Sequence, residues 1–286
     1  MVTSTSITTV IFDIGEWGGG EITSVSVCDN FLTKQMLGIN KWEKAHGLPH
    51  DYLNVAITAR GPSGAFQRLE VGELQLPDFY EQVSRRHPYL LHHANQFGSQ
   101  MSDLIFNNAA FVKFCSKSKK SKGTKPLRHT SFRSCFLWKQ MMLEASTYNL
   151  PIIKVIKRLR ESGKYRVAAL TNNFQLPDGK TAEDEEALGL APMEVKMLFD
   201  QYIESSQVGL RKPDLKFFEY ALKLLKVGSP KEVVFLDDLG INLKAAKVLG
   251  INTIKVGIYD VTPALVKLQQ FLPDVDLSDI INSPKL

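Results

Sequence analysis

Thr8-Thr9-Val10-Ile11-Phe12-Asp13 is a β-branched and apolar run that stops abruptly at a carboxylate, with Gly15 close behind. Such a run reads as a strand buried on both faces, its C-terminal end opening into a loop. Similar runs recur far downstream, at 167–171, 202–204, 233–238 and 251–256. Amphipathic stretches lie between them. From Pro151, residues Ile152, Ile153, Ile156 and Leu159 line one helical face, and Lys154, Lys157, Arg158 and Arg160 fill the other, up to Gly163. Pro213 opens a second helix with Phe217, Tyr220, Ala221 and Leu224 on its apolar side. Residues 242–249 form a third, closed by Gly250. Strands alternating with helices predict a parallel sheet covered on both faces.

The rhythm breaks between the first two strands. Residues 28–149 hold helical patches at 51–58, 77–86, 101–114 and 136–146, and no clear strand. A helical insertion into an α/β sheet is therefore expected. Core and insertion divide as 1–16 plus 150–286 against 17–149. The Ser- and Lys-rich stretch at 115–134 reads as a solvated basic loop.

The chain has 286 residues, 44% hydrophobic and 23% charged, which suits one large or two modest globular units and excludes wholesale disorder. Its net charge of +5 is local. Nine Lys or Arg and no acidic residue fall between Lys113 and Lys139, so the remainder carries −4. A nucleic-acid binder spreads its charge over a folded reading face, and no nucleic-acid partner is expected. No apolar run is long enough to span a membrane, and no secretory leader is evident, so a cytoplasmic protein is expected. Cys28, Cys115 and Cys135 lack the spacing of a disulfide framework or a zinc site.

Four pieces carry chemistry together. Asp13 ends the first strand and Thr171 the second, followed by Asn172 and Asn173. Lys212 precedes Pro213 at an expected helix start, and Asp237 and Asp238 end a later strand. Ligands of open α/β sheets bind outside the carboxyl ends of strands, and helix N-termini favour anions. A carboxylate can attack phosphorus. Mg²⁺ takes hard oxygen ligands, which Asp13 and Asp238 supply. A Thr hydroxyl, backbone amides and a Lys ammonium hold the remaining phosphate oxygens. Each piece alone has an ordinary reading: a strand end, a self-satisfying turn, a helix start, a helix cap. Their order and spacing together carry the signal.

These pieces resemble the motifs of the haloacid dehalogenase-like (HAD) hydrolase superfamily. The first is Val10-Ile11-Phe12-Asp13-Ile14-Gly15 and the second Ala169-Leu170-Thr171-Asn172-Asn173. The third is Val208-Gly209-Leu210-Arg211-Lys212-Pro213, and the fourth runs from Val234 through Asp237-Asp238 to Asn242. Within the superfamily the chain most resembles the N-terminal phosphatase domain of soluble epoxide hydrolases and the HAD domain fused to acyl-CoA dehydrogenases. Glu204-Ser205-Ser206-Gln207-Val208-Gly209 and Gly61-Pro62-Ser63-Gly64-Ala65-Phe66-Gln67-Arg68-Leu69 carry that likeness. The resemblance implies a Rossmann-like core with an inserted helical cap, and a phosphate ester as small-molecule substrate. Asp13 becomes the nucleophile and a Mg²⁺ ligand. Thr171 and the amide of Asn172 hold the phosphoryl group. Lys212 bridges Asp13 and phosphate. Asp238 and the carbonyl of Gly15 complete the metal site, with Asp237 in support.

One departure stands out. HAD phosphatases usually carry a second Asp two residues after the nucleophile, and this chain has Gly15 there. Loss of a general acid–base costs roughly 10²–10⁴ in rate. Three readings remain open on sequence alone. One is a Mg²⁺-dependent phosphatase acting through an aspartyl-phosphate. Another is a dehalogenase-type hydrolase forming an ester on Asp13, since halide leaves without a proton. The third is a catalytically impaired HAD-fold binding or regulatory protein.

Overall fold

A computed structural model describes residues 6–14, 44, 61–85, 149–176, 190–257 and 260–283. Its centre is strand β1, Thr9–Phe12, buried along its whole length. Side chains alternate across a strand, so Val10 and Phe12 join the core on one face and Ile11 the core on the other. A strand with two apolar faces needs a neighbour on each edge and helices on both sides, and β1 has them.

The sheet is formed by β1, β2 (Arg166–Thr171), β3 (Gln201–Glu204), β4 (Val233–Asp237) and β5 (Asn252–Lys255). Their order is β3-β2-β1-β4-β5, with every pair parallel. Chain order runs to one side of β1 through β2 and β3, then jumps across to β4. That reversal puts the ligand-binding crevice of such a sheet between the ends of β1 and β4. Register sets the depth: Phe12 lies opposite Ala169 on one side and Leu236 on the other. Asp13 thus comes level with the ends of both neighbours.

The expected parallel sheet is present, and the strand bounds agree with the sequence reading to within a residue or two. Helix 150–162 starts at Asn149, whose Oδ1 accepts from the Ile152 amide at 3.1 Å, and ends at Gly163 in the left-handed region, φ 62°. Its buried face is Ile152, Val155, Ile156 and Leu159. Val155 takes the place expected of Ile153, because the i, i+3, i+4, i+7 stripe centres one position away. A second correction concerns helix 215–224, which buries Phe217, Phe218 and Ala221 and leaves Tyr220 and Leu224 exposed. Phe218 packs edge-on against Phe235 of β4, rings 5.4 Å apart, and this contact turns the helix. The same helix begins at Leu215, capped by Asp214, so Lys212 precedes it by three residues and does not occupy its N-terminus. Helix 240–248 begins two residues earlier than expected and brings Asn242 inside.

Residues 61–85 hold a short 3₁₀ turn, helix α1 (Ala65–Glu70) and helix α2 (Leu76–Arg85). Leu69, Leu74, Leu76 and Phe79 form a third apolar cluster with Phe174 and Leu190, which sit beyond β2 and before β3. The expected helix at 77–86 is present within a residue. Those at 51–58, 101–114 and 136–146, and the basic loop at 115–134, lie outside the described residues. No helix among the described residues is long and apolar enough to cross a membrane.

Candidate functional site

Parallel strands end on one side of a sheet, and four ends here carry polar residues. Thr171, Glu204 and Asp237 are the last residues of β2, β3 and β4, and Asp13 directly follows β1. The Asp13 amide donates to Leu236 O at 2.8 Å, which extends the β1–β4 ladder by one residue and fixes the carboxylate beside β4.

Lys212 occupies the space between them. It is 1% exposed, and its Nζ donates to Asp13 Oδ1, to Asp237 Oδ2 at 3.2 Å and to Leu170 O at 2.7 Å. An ammonium has three donors, and all three are used. The Phe235 ring lies 5.5 Å from the same nitrogen. Asp237 is fully buried and accepts from Leu239 N at 2.7 Å and Asn242 Nδ2 at 3.0 Å besides Lys212. Asp237 therefore anchors Lys212 and the turn that follows β4.

Ligand oxygens of Asp13, Asp237 and Asp238 all lie within 4.8 Å of one another. One ammonium does not balance three carboxylates. Burial, and then Asp237, push the Asp13 carboxyl up to about 7 against the pull of Lys212. Asp238 is raised well above the usual carboxylate range by burial and by Asp13 and Asp237. Burial opposes the charge on Lys212, but Asp13 and Asp237 outweigh it and hold the ammonium above its ordinary value. Two carboxylates that resist ionisation side by side, with hard oxygen donors, fit a small divalent cation such as Mg²⁺.

The residues that the sequence reading expects to hold phosphate also gather here. Thr171 Oγ1 donates to the carbonyl of Ile14, tying β2 to the loop after β1. Asn172 clamps the Lys212 backbone: its Oδ1 accepts from Lys212 N at 2.8 Å and its Nδ2 donates to Lys212 O at 3.0 Å. Asp13, Thr171, Asn172, Lys212, Asp237 and Asp238 are thus brought together. Gly15, expected to offer a carbonyl to the metal, lies outside the described residues.

Other residues of the site escaped the sequence reading. Glu204 accepts from Asn173 Nδ2 at 3.0 Å, from Lys196 Nζ at 3.3 Å and from Gln207 Nε2. Ser205 Oγ accepts the Asn173 amide at 2.8 Å. Arg211 pairs with Glu70. Asn242 stood in the fourth motif, and its exact five-residue offset from Asp237 on a helix start was the signal available.

Known proteins resemble this chain over most of its length. A family model described as haloacid dehalogenase-like hydrolase matches residues 141–250. The chain is 29% identical over 228 residues to bifunctional epoxide hydrolase 2 of Rattus norvegicus, covering 80% of this chain and 34% of that protein. It is 30% identical over 216 residues to acyl-CoA dehydrogenase family member 10 of Mus musculus, covering 75% and 16%. A glyceraldehyde 3-phosphate phosphatase of Methanocaldococcus jannaschii is 33% identical over 104 residues, 36% of this chain and 42% of that one. The chain thus spans about a third of the first relative's length and about a sixth of the second's. A solved structure of a predicted HAD-like family hydrolase from Porphyromonas gingivalis shares the fold, with a TM-score of 0.52 at 19% identity over 92% of this chain and 98% of that one.

The raised carboxyls set a pH dependence of stability. Asp13 titrates near 3.8 when unfolded and near 7 when folded, so the folded state holds the extra proton between those values. Stability without a divalent cation then falls as pH rises through that window, and Glu70, also raised to about 7, adds in the same direction. Melting temperatures in EDTA are expected to drop between pH 5 and pH 8, and Mg²⁺ to flatten the profile. A rising or flat profile in EDTA contradicts the assignment.

Proposed function

The chain carries a haloacid dehalogenase-like hydrolase core, and we propose that it is a Mg²⁺-dependent phosphatase working through an aspartyl-phosphate on Asp13. The observation that carries this reading is the cluster of Asp13, Asp237 and Asp238, the first two buried and paired with Lys212 and the third half-buried beside them. It offers a nucleophile, a fixed positive charge and a surplus of negative charge suited to a cation.

Asp13 must be ionised to attack. Lys212 lowers the cost of that ionisation, and Asp237, itself held by donors from Asn242 and Leu239, keeps the ammonium in place beside Asp13. Asp13 Oδ attacks phosphorus, the bond to the leaving oxygen breaks, and the leaving group departs as an anion or takes a proton from water. Water then attacks the phosphorus of the acyl-phosphate, releasing inorganic phosphate and restoring the Asp13 carboxylate. When bound by Asp13 and Asp238, with the Gly15 carbonyl, Mg²⁺ would offset the charge of nucleophile and phosphate. Thr171 and the amide of Asn172 would hold phosphoryl oxygens beside Lys212.

The segment 17–149 is proposed as the cap that closes over this site and selects a small phosphate ester. That the Methanocaldococcus relative is named a phosphatase supports the reading. The dehalogenase-type reading draws on Gly15 alone. It is disfavoured by the carboxylate cluster, since a carbon–halogen displacement gains little from the cation that such a cluster suits.

Two variants test the proposal. Asp238→Asn is expected to weaken Mg²⁺ binding roughly 100-fold or more by calorimetry, more than loss of an outer-shell partner does. Unchanged affinity removes Asp238 from the metal site. Gly15→Asp restores the carboxylate usual at this place. It is expected to raise the ratio of alkyl to aryl phosphatase rates about tenfold or more, because poor leaving groups need the proton. With Mg²⁺ affinity intact, an unchanged ratio defeats the missing-acid explanation.

A further inference from the structure

Glu70 is a buried charge outside the carboxylate cluster. It ends α1, its side chain is 6% exposed, and its Oε2 lies 2.6 Å from Arg211 Nε. Burial pushes the carboxyl up to about 7, with Arg211 and Lys212 pulling it down. A buried pair of this kind is weak evidence for added stability, because desolvation offsets the attraction. Its place in the fold points to another use.

Both ends of Glu70 reach the loops of the site. Its carbonyl accepts from Ser205 Oγ at 2.6 Å, and Ser205 in turn accepts the Asn173 amide at 2.8 Å. Its carboxylate is ion-paired with Arg211, the residue before Lys212, as a close charge contact outside hydrogen-bond geometry. Asn172 and Lys212, the neighbours of those two contacts, are themselves locked together by two hydrogen bonds. The close fit continues at Gly72. With φ +75° it sits where a Cβ would come 2.6 Å from Ser206 O, so only glycine lets the segment seat against the 205–208 helix. Segment 65–72 therefore braces the two loops that carry Asn172 and Lys212.

Resting on the phosphatase reading, we propose that Glu70 is a positioning residue: by fixing Arg211 it holds the Lys212 backbone in register with Asn172 and so sets the anion-holding end of the site. It acts on phosphate more than on the metal end, because the backbones of Asp13 and Asp238 are placed by β1 and β4 and not by the 211–212 loop. Displacements of about 1 Å in such groups cost up to roughly 10²-fold in rate.

The test uses Glu70→Gln, Arg211→Gln and the double variant in the full chain. Each is followed by thermal melting, by Mg²⁺ calorimetry, by inorganic phosphate binding with Mg²⁺ present, and by phosphate release. Glu70→Gln is expected to keep Mg²⁺ affinity within about twofold and to weaken phosphate binding roughly 10-fold or more, with a matching loss of turnover. Arg211→Gln is expected to do the same, and the double variant to be no worse than either. If Glu70→Gln does not fold, Arg211→Gln carries the same comparison of phosphate against Mg²⁺. Unchanged phosphate affinity in a folded variant overturns the proposal, as do additive losses or an equal loss of Mg²⁺ affinity. A parent protein that binds Mg²⁺ but neither binds phosphate nor releases it overturns the phosphatase reading, and the proposal falls with it. A parent that does both while the variants match it overturns the proposal alone.

Discussion

The ammonium of Lys212 holds the carboxyl end of the sheet together. It is nearly inaccessible to solvent, and it bridges the ends of three strands: Asp13 after β1, Leu170 in β2 and Asp237 closing β4. Removing one partner from a buried charge pair costs about 3–5 kcal/mol, because the other charge is stranded. Three carboxylates on adjacent strands would repel one another without it. With it, one negative charge is offset and the remaining two define a place for a cation. The strand order makes this possible, since β1 and β4 are hydrogen-bonded neighbours although more than 200 residues separate them in the chain.

Much of this was legible in the sequence, for a physical reason. Strands buried on both faces must be uniformly apolar, so a polar or charged residue at the end of such a run is conspicuous. Asp13, Thr171 and Asp237-Asp238 announced themselves that way, and the parallel sheet followed from the helices between them. Lys212 was legible only through its order relative to the others. Nothing local distinguishes a buried lysine from a solvated one, and it lies 199 residues from Asp13. The helix at 215–224 shows the opposite failure. Its sequence offers Phe217, Phe218, Tyr220, Ala221 and Leu224, enough apolar residues for two faces. Packing against Phe235 chose between them.

The contacts of Glu70, Ser205, Arg211 and Asn173 were out of reach for a related reason. They join pieces up to 141 positions apart, and each member is an ordinary polar residue in its own neighbourhood. Only when α1 packs beside the end of β3 does a polar network appear. That network links segment 65–72 to the loops that carry Asn172 and Lys212, whereas the backbones of Asp13 and Asp237 are set by the sheet.

The central claim is that Asp13 accepts a phosphoryl group. With Gly15 in place of the usual carboxylate, hydrolysis of the acyl-phosphate is slowed more than its formation from an aryl ester, so the intermediate should accumulate. The direct measurement is a rapid acid quench after mixing with p-nitrophenyl phosphate, followed by mass spectrometry of the peptides. The account predicts a phosphorylated Asp13 that appears only when Mg²⁺ is present. Phosphate on another residue, or Mg²⁺-dependent turnover with Asp13 unmodified at every quench time, contradicts it.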